Sequence, residues 1–80
     1  MDQFNRLVSE QIITMEKLLN LQAELERCLE IKRELQNLQK ETELESIQFD
    51  IEQMKKELAE IQQIFEKQTE EVIQSYQINA

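Results

Sequence analysis

The 80-residue sequence contains no glycine and no proline. These residues form most tight turns, and inside a helix they cost about 1 and 3 kcal/mol, respectively, relative to alanine. The chain therefore lacks the usual signals for ending a helix or reversing its direction. We predict one very long helix, or two helices with an unusual connection. Such a helix cannot bury its apolar side chains alone, so it must pack against another helix.

Histidine is also absent. It is the usual general base at neutral pH and the commonest metal ligand, while phosphate-binding loops and EF-hand calcium loops require glycine. We therefore expect no enzyme activity, no catalytic residue, no cofactor and no bound metal. The many carboxylates are interpreted as a solvated outer helix surface.

Cysteine and long apolar runs are scarce as well. Cys28 is the single cysteine, which excludes an intrachain disulfide bond, and we assign it to an apolar helix face. No run approaches 18 apolar residues, and the first residues lack the features of a secretory signal. We expect no membrane insertion and a cytoplasmic location, with the nucleus as the alternative.

Basic residues are outnumbered by acidic ones. Nine Lys and Arg residues stand against 17 Asp and Glu residues, which gives a formal net charge of −8. Binding to phosphate backbones depends on clustered Lys and Arg, so we expect no nucleic-acid partner.

A heptad pattern of apolar residues is what the sequence does contain, and it predicts an all-α coiled coil. In the C-terminal half the a positions are Leu44, Ile51, Leu58, Phe65 and Val72, and the d positions are Ile47, Met54, Ile61, Gln68 and Ser75. In the N-terminal half the a positions are Phe4, Gln11, Leu18, Leu25 and Lys32, and the d positions are Leu7, Thr14, Leu21, Cys28 and Leu35. Segments such as residues 21–26 resemble coiled coils in general.

The two heptad frames are out of phase, and a single stutter or stammer does not join them. The break falls in the polar pentad at residues 39–43. We accordingly divide the chain into a wide-faced amphipathic half (1–38), the polar break (39–43), a heptad half (44–76) and a fraying terminus (77–80). The wide face of the first half includes a flanking row of Val8, Ile12, Met15, Leu19 and Leu29.

Two structures are compatible with the break. In one, a continuous helix runs through the pentad and its partners repack there. In the other, the pentad is a loop and the halves form an antiparallel helical hairpin, in which Thr42 and Glu45 match a capping box. Because Gln, Lys and Glu are good helix formers and no glycine marks a turn, we favour the continuous helix, which would oligomerise as a dimer or higher bundle.

Polar residues interrupt the apolar positions of the pattern. Gln11 and Lys32 occupy a positions, whereas Thr14 and Gln68 occupy d positions. Such residues restrict register and partner number at a cost in stability. Two Lys32 side chains would repel each other in a parallel homodimer, which favours an antiparallel or heterotypic arrangement.

Two functions follow from this pattern. The first is a scaffold or oligomerisation segment that joins copies of itself, or another coiled-coil protein, into an elongated homo- or hetero-oligomer. Its predicted protein-binding residues are the following: Leu18, Leu21, Leu25, Leu35, Leu38, Leu44, Ile47, Ile51, Met54, Leu58, Ile61, Phe65 and Val72.

The alternative function is a helical binding module, similar to adaptors or effectors of small GTPases, that presents its N-terminal apolar face to a globular partner. Its predicted contact residues are Phe4, Leu7, Val8, Ile12, Met15 and Leu19. An amphipathic N-terminus resting on a membrane surface is a third, weaker interpretation.

Overall fold

A computed structural model of the protein describes the backbone of residues 2–79 and the side chains of residues 2–77. Helix α1 spans Asp2–Asn37 and helix α2 spans Glu41–Asn79. The helices pack against each other in a hairpin whose Cα atoms extend over 59 × 14 × 12 Å. The prediction of an all-α fold with a break near residues 39–43 is confirmed.

The favoured form of that prediction, a continuous helix, is wrong, and the antiparallel hairpin is the observed structure. The turn comprises residues 38–40 and overlaps the polar pentad only at residues 39 and 40, because residues 41–43 already belong to α2. Thr42 does not start α2 as a capping-box residue, since the helix already begins at Glu41. Helix α2 also continues through the predicted fraying segment to Asn79, while Ala80 and the last side chains lie outside the described residues.

The turn closes α1 with a Schellman motif. The Lys40 amide donates to the Leu35 carbonyl over 3.1 Å, and the Gln39 amide donates to the Gln36 carbonyl over 3.2 Å. Gln39 adopts a left-handed conformation with φ of 57°. Glycine is the usual residue at this position, because a Cβ atom costs about 1–2 kcal/mol there. The turn thus forms without glycine, at the expense of strain in one residue.

We expect Gln39→Gly to raise the free energy of unfolding by about 1 kcal/mol, because glycine removes the Cβ clash at positive φ. Gln39→Val should lower it by about 1–2 kcal/mol, since a β-branched residue is a poorer fit for that conformation. Urea unfolding followed by circular dichroism measures both changes. Gln39→Ala serves as the control, and equal stability of all three variants would contradict the strained turn.

Two contacts near the chain termini define how the helices align. The rings of Phe4 and Tyr76 lie 5.9 Å apart between centroids, and the Gln11 side-chain amide donates to the Thr69 hydroxyl. In both contacts the residue numbers add up to 80. Sums close to 80 mean that residue i of α1 lies level with about residue 79 − i of α2. The alignment of the two helices is therefore centred on the turn.

With this register, each a residue of one helix lies level with a d residue of the other, as Cys28 does with Ile51. We call these ten layers the seam, and in each layer the residue numbers add up to 79. All twenty of its residues are buried or half-buried. Among the other described side chains only Val8, Gln22 and Thr69 are not exposed. The heptad frames read from the sequence therefore mark the buried face of each helix.

The seam is a thin core. Leu7, Leu21 and Ile51 are its most buried apolar side chains, and Ile51 is the least exposed of them at 4%. No side chain in the described part of the chain is completely buried. Since isolated helices of this kind owe their stability to packing on an apolar face, these few side chains must hold the hairpin together.

Truncating the most buried side chain of the seam should show this dependence. We expect Ile51→Ala to lower the free energy of unfolding by about 2–4 kcal/mol, because it removes apolar contacts and leaves a cavity. Ile13→Ala makes the same change at a side chain that is 53% exposed, and it should alter stability by less than about 0.5 kcal/mol. Urea denaturation compares the two variants, and similar losses would contradict the seam.

Candidate interaction surface

A polar cluster occupies the seam toward the open end of the hairpin. Besides its bond to Thr69, the Gln11 amide donates to the Phe65 carbonyl over 3.3 Å. The Thr69 hydroxyl donates to the same carbonyl over 2.9 Å, and the Thr14 hydroxyl donates to the Glu10 carbonyl over 3.1 Å. Gln11 thereby joins the two helices at one level. This supports the prediction that polar seam residues restrict the register.

Gln68 lies level with Gln11, but the hydrogen-bonding groups of its side chain are less well satisfied. Its side-chain oxygen is buried and has no hydrogen-bond partner among the described residues. A buried acceptor without a partner costs about 1–3 kcal/mol. Lys32, another polar seam residue, is half-buried level with Ile47.

One side of the hairpin is apolar. In an antiparallel helix pair, the e positions of both helices lie on one side of the seam and the g positions on the other. The contacts of Thr69 and Tyr76, both at e positions of α2, are consistent with this arrangement. The side formed by the e and b positions carries a group of largely exposed apolar residues, which we call the apolar flank: Val8, Ile12, Met15, Leu19, Ile73 and Tyr76.

The apolar flank is also nearly free of charge. From Asn5 to Gln22 in α1, and from Ala59 to Tyr76 in α2, the e and b positions contain a single charged residue, Glu66. The whole chain is 32% charged, so this stretch near the open end of the hairpin is poor in charge, whereas the e and b positions nearer the turn carry charges of both signs. Exposed apolar patches are common at interaction sites, which makes the flank the candidate surface of this hairpin.

The opposite side of the hairpin is charged. A shallow depression there is lined by Lys17, Asn20 and Glu24 of α1 and by Glu57 of α2, with Leu21 and Ile61 at its base. Ile13 and Ile64 are exposed on this side but are surrounded by charged residues. The two sides of one hairpin therefore differ in chemistry, although they flank the same seam.

The predicted protein-binding residues lie mainly within the hairpin. Twelve of the thirteen occupy the seam, while Leu38 lies in the turn and is 66% exposed. That they bind another chain stays a prediction, because in this structure the seam of each helix faces the other helix of the same chain. From the alternative set, Leu7 is buried in the seam and Phe4 packs against Tyr76, so neither belongs to the exposed face predicted for them.

Three members of that alternative set, Ile12, Met15 and Leu19, are exposed as predicted. The sequence interpretation missed Ile73, Tyr76 and Thr69, which α2 contributes to the same side. An antiparallel hairpin places their e and b positions on the same side as those of α1. The hairpin alternative would therefore have identified them from the sequence.

Comparison with known proteins gives a family for the chain. The model of the family described as "YgaB-like protein" matches residues 3–79, which include both helices and the turn. The chain belongs to this YgaB-like family. It is 53% identical over 76 residues to a Bacillus subtilis protein described as "Uncharacterized protein YgaB", a match that covers 95% of the chain and 67% of that relative. No solved structure matches the chain.

The described part of this YgaB-like chain lacks both a membrane-spanning helix and a cluster of metal ligands. Neither helix has a segment long and apolar enough to cross a membrane within the described residues. Over the same residues, no three potential metal-ligating side chains of the His, Cys, Asp or Glu type come together.

Replacing Gln68 should relieve the unpaired buried oxygen. We expect Gln68→Met to raise the free energy of unfolding by about 1 kcal/mol, because methionine has a similar shape and no buried acceptor. Gln63→Met is the matched control at an exposed position of the same helix and should change stability by less than about 0.5 kcal/mol. Thermal and urea unfolding test the pair, and destabilisation by Gln68→Met would show that the oxygen is satisfied in solution.

Proposed function

We propose that this chain is a non-enzymatic protein-interaction module that binds other helices through its apolar flank. The observation that carries the proposal is the division of apolar residues between two faces. The seam is used within the chain, whereas Ile12, Leu19 and Ile73 remain at least half exposed. A module of this kind is closer to the binding module that the sequence predicted as the alternative than to the scaffold that it predicted first.

The distribution of charge over the hairpin also favours the apolar flank as the binding face. Helix α2 carries ten acidic and three basic residues, so most of its surface would repel an acidic partner. The apolar flank offers neither attraction nor repulsion of this kind. Binding there would draw on the burial of apolar surface, which contributes about 25 cal/mol per Å².

A scaffold is the second candidate function, with the apolar flank in place of the seam as the contact between units. A chain that binds helices through one flank can join them into a larger assembly, as the sequence predicted for the seam. The length of 59 Å would then set the span of each unit. A cytoplasmic location is compatible with this role and is part of the proposal.

Ile12 and Ile13 provide a matched test of the flank. They are adjacent in sequence and 52% and 53% exposed, but Ile12 lies on the apolar flank and Ile13 on the charged side. A photo-reactive amino acid at position 12, introduced into the full chain in cells of its native host, should form discrete adducts with itself or another protein. The same residue at position 13 should not.

The adduct partner, identified by mass spectrometry and purified, then allows a binding measurement. We expect Ile12→Glu to weaken binding at least tenfold, because it places a charge in an apolar contact. Ile13→Glu should change the affinity less than about twofold, and both variants should keep their helicity. Equal cross-linking at the two positions, or equal losses of affinity, would contradict the proposed function.

A further inference from the structure

We infer that the apolar flank binds the apolar flank of a second copy of this chain, which produces a four-helix bundle from two hairpins. This inference rests on the proposed function and names its partner. Two copies would be related by a twofold axis along the length of the hairpins. Each α1 would then lie over α2 of the other copy, at the same level and antiparallel to it.

Charge is the first argument for a second copy. At a net charge of −8, two copies repel each other over most of their surface. The apolar flank is the part of the described surface where that repulsion is smallest, since Glu66 is the single charge at its e and b positions. A charged partner would find no complementary groups there, whereas a second flank has the same uncharged, apolar character.

Shape is the second argument. On α1 the flank is a ridge of large side chains: Ile12, Met15 and Leu19. On α2, the e and b residues near the same levels are Ala59, Gln62, Glu66 and Thr69, of which Ala59 and Thr69 are small. A twofold axis along the hairpin would bring Leu19 of each copy over Ala59 of the other, and Ile12 over the position between Glu66 and Thr69, as ridges pack into grooves between helices.

The same arrangement extends toward the turn, where the e and b positions carry charges of both signs. Arg33 of α1 lies level with Glu45 of α2, and the dimer would bring Arg33 of one copy near Glu45 of the other. The broad side of the hairpin measures 59 by 14 Å between Cα extremes. The uncharged stretch covers about half of that length, so a match to the roughly 800 Å² per partner of a standard stable interface needs the half near the turn as well.

A pair of alanines tests the inference directly. Ala59 lies at a b position of the flank on α2, whereas Ala23 lies at an f position of α1, on the outer surface opposite the seam and outside the e and b positions of the flank. Both are exposed in the middle of a long helix. Sedimentation equilibrium of the unmodified chain should give twice the monomer mass of 9.6 kDa. Ala59→Arg should weaken this dimer at least tenfold, whereas Ala23→Arg should leave it unchanged.

A second pair should act in the opposite direction. Glu66→Gln removes the one charge at the e and b positions of the flank and should tighten the dimer severalfold. Glu70→Gln removes a charge of the same sign from the outer surface of α2 and should have less effect. Circular dichroism confirms that all four variants keep their helices.

Small-angle scattering of the dimer separates paired hairpins from two extended chains. Paired hairpins keep a length near 59 Å, whereas an extended helix of 80 residues would measure about 120 Å. A dimer of doubled length would overturn the inference, and so would equal effects of Ala59→Arg and Ala23→Arg. A chain that stays monomeric up to about 1 mM would also overturn it. In that case the proposed function still stands if position 12 cross-links to a different protein.

Discussion

The pairing of a residues in one helix with d residues in the other is the constraint on which the rest of this structure depends. It determines the alignment, because every layer joins residues whose numbers add up to 79. It also locates the turn, since that sum places the centre of the hairpin between Gln39 and Lys40. The polar cluster strengthens the alignment, because Gln11 bonds to α2 at one level only. Shifting one helix by one residue would remove both the pairing of a with d residues and the hydrogen bonds of Gln11.

The same pairing explains why the chain folds back instead of extending. In a continuous helix at 100° per residue, the a positions Lys32 and Leu44 would point about 120° apart. One straight partner helix could not cover both halves of such a rod. A turn removes the conflict because it reorients α2 independently of α1. The strain at Gln39, about 1–2 kcal/mol, is small beside the apolar burial that the turn makes available.

Sequence alone predicted the faces of the helices but not their connection. The heptad frames identified all twenty seam residues because burial follows apolar periodicity closely in a helix pair. The turn was missed because Gln39 and Lys40 are good helix formers, and a left-handed glutamine leaves no sign in composition. The sum of 79 was available from the frames and would have favoured the hairpin. The flank was predicted only on α1, because Ile73 and Tyr76 join it only after the chain folds back.

In a hairpin with so thin a seam, any association through the flank would be coupled to folding. Few apolar side chains are well buried by the two helices alone, while others such as Leu19 remain 54% exposed. Any partner that covers the flank binds the folded hairpin and not the unfolded chain, so it stabilises the fold by mass action. Polar residues in the seam cost stability, so we expect that added stability to be a large share of the total. A partner on the apolar flank would therefore add the second layer of apolar packing that the hairpin lacks.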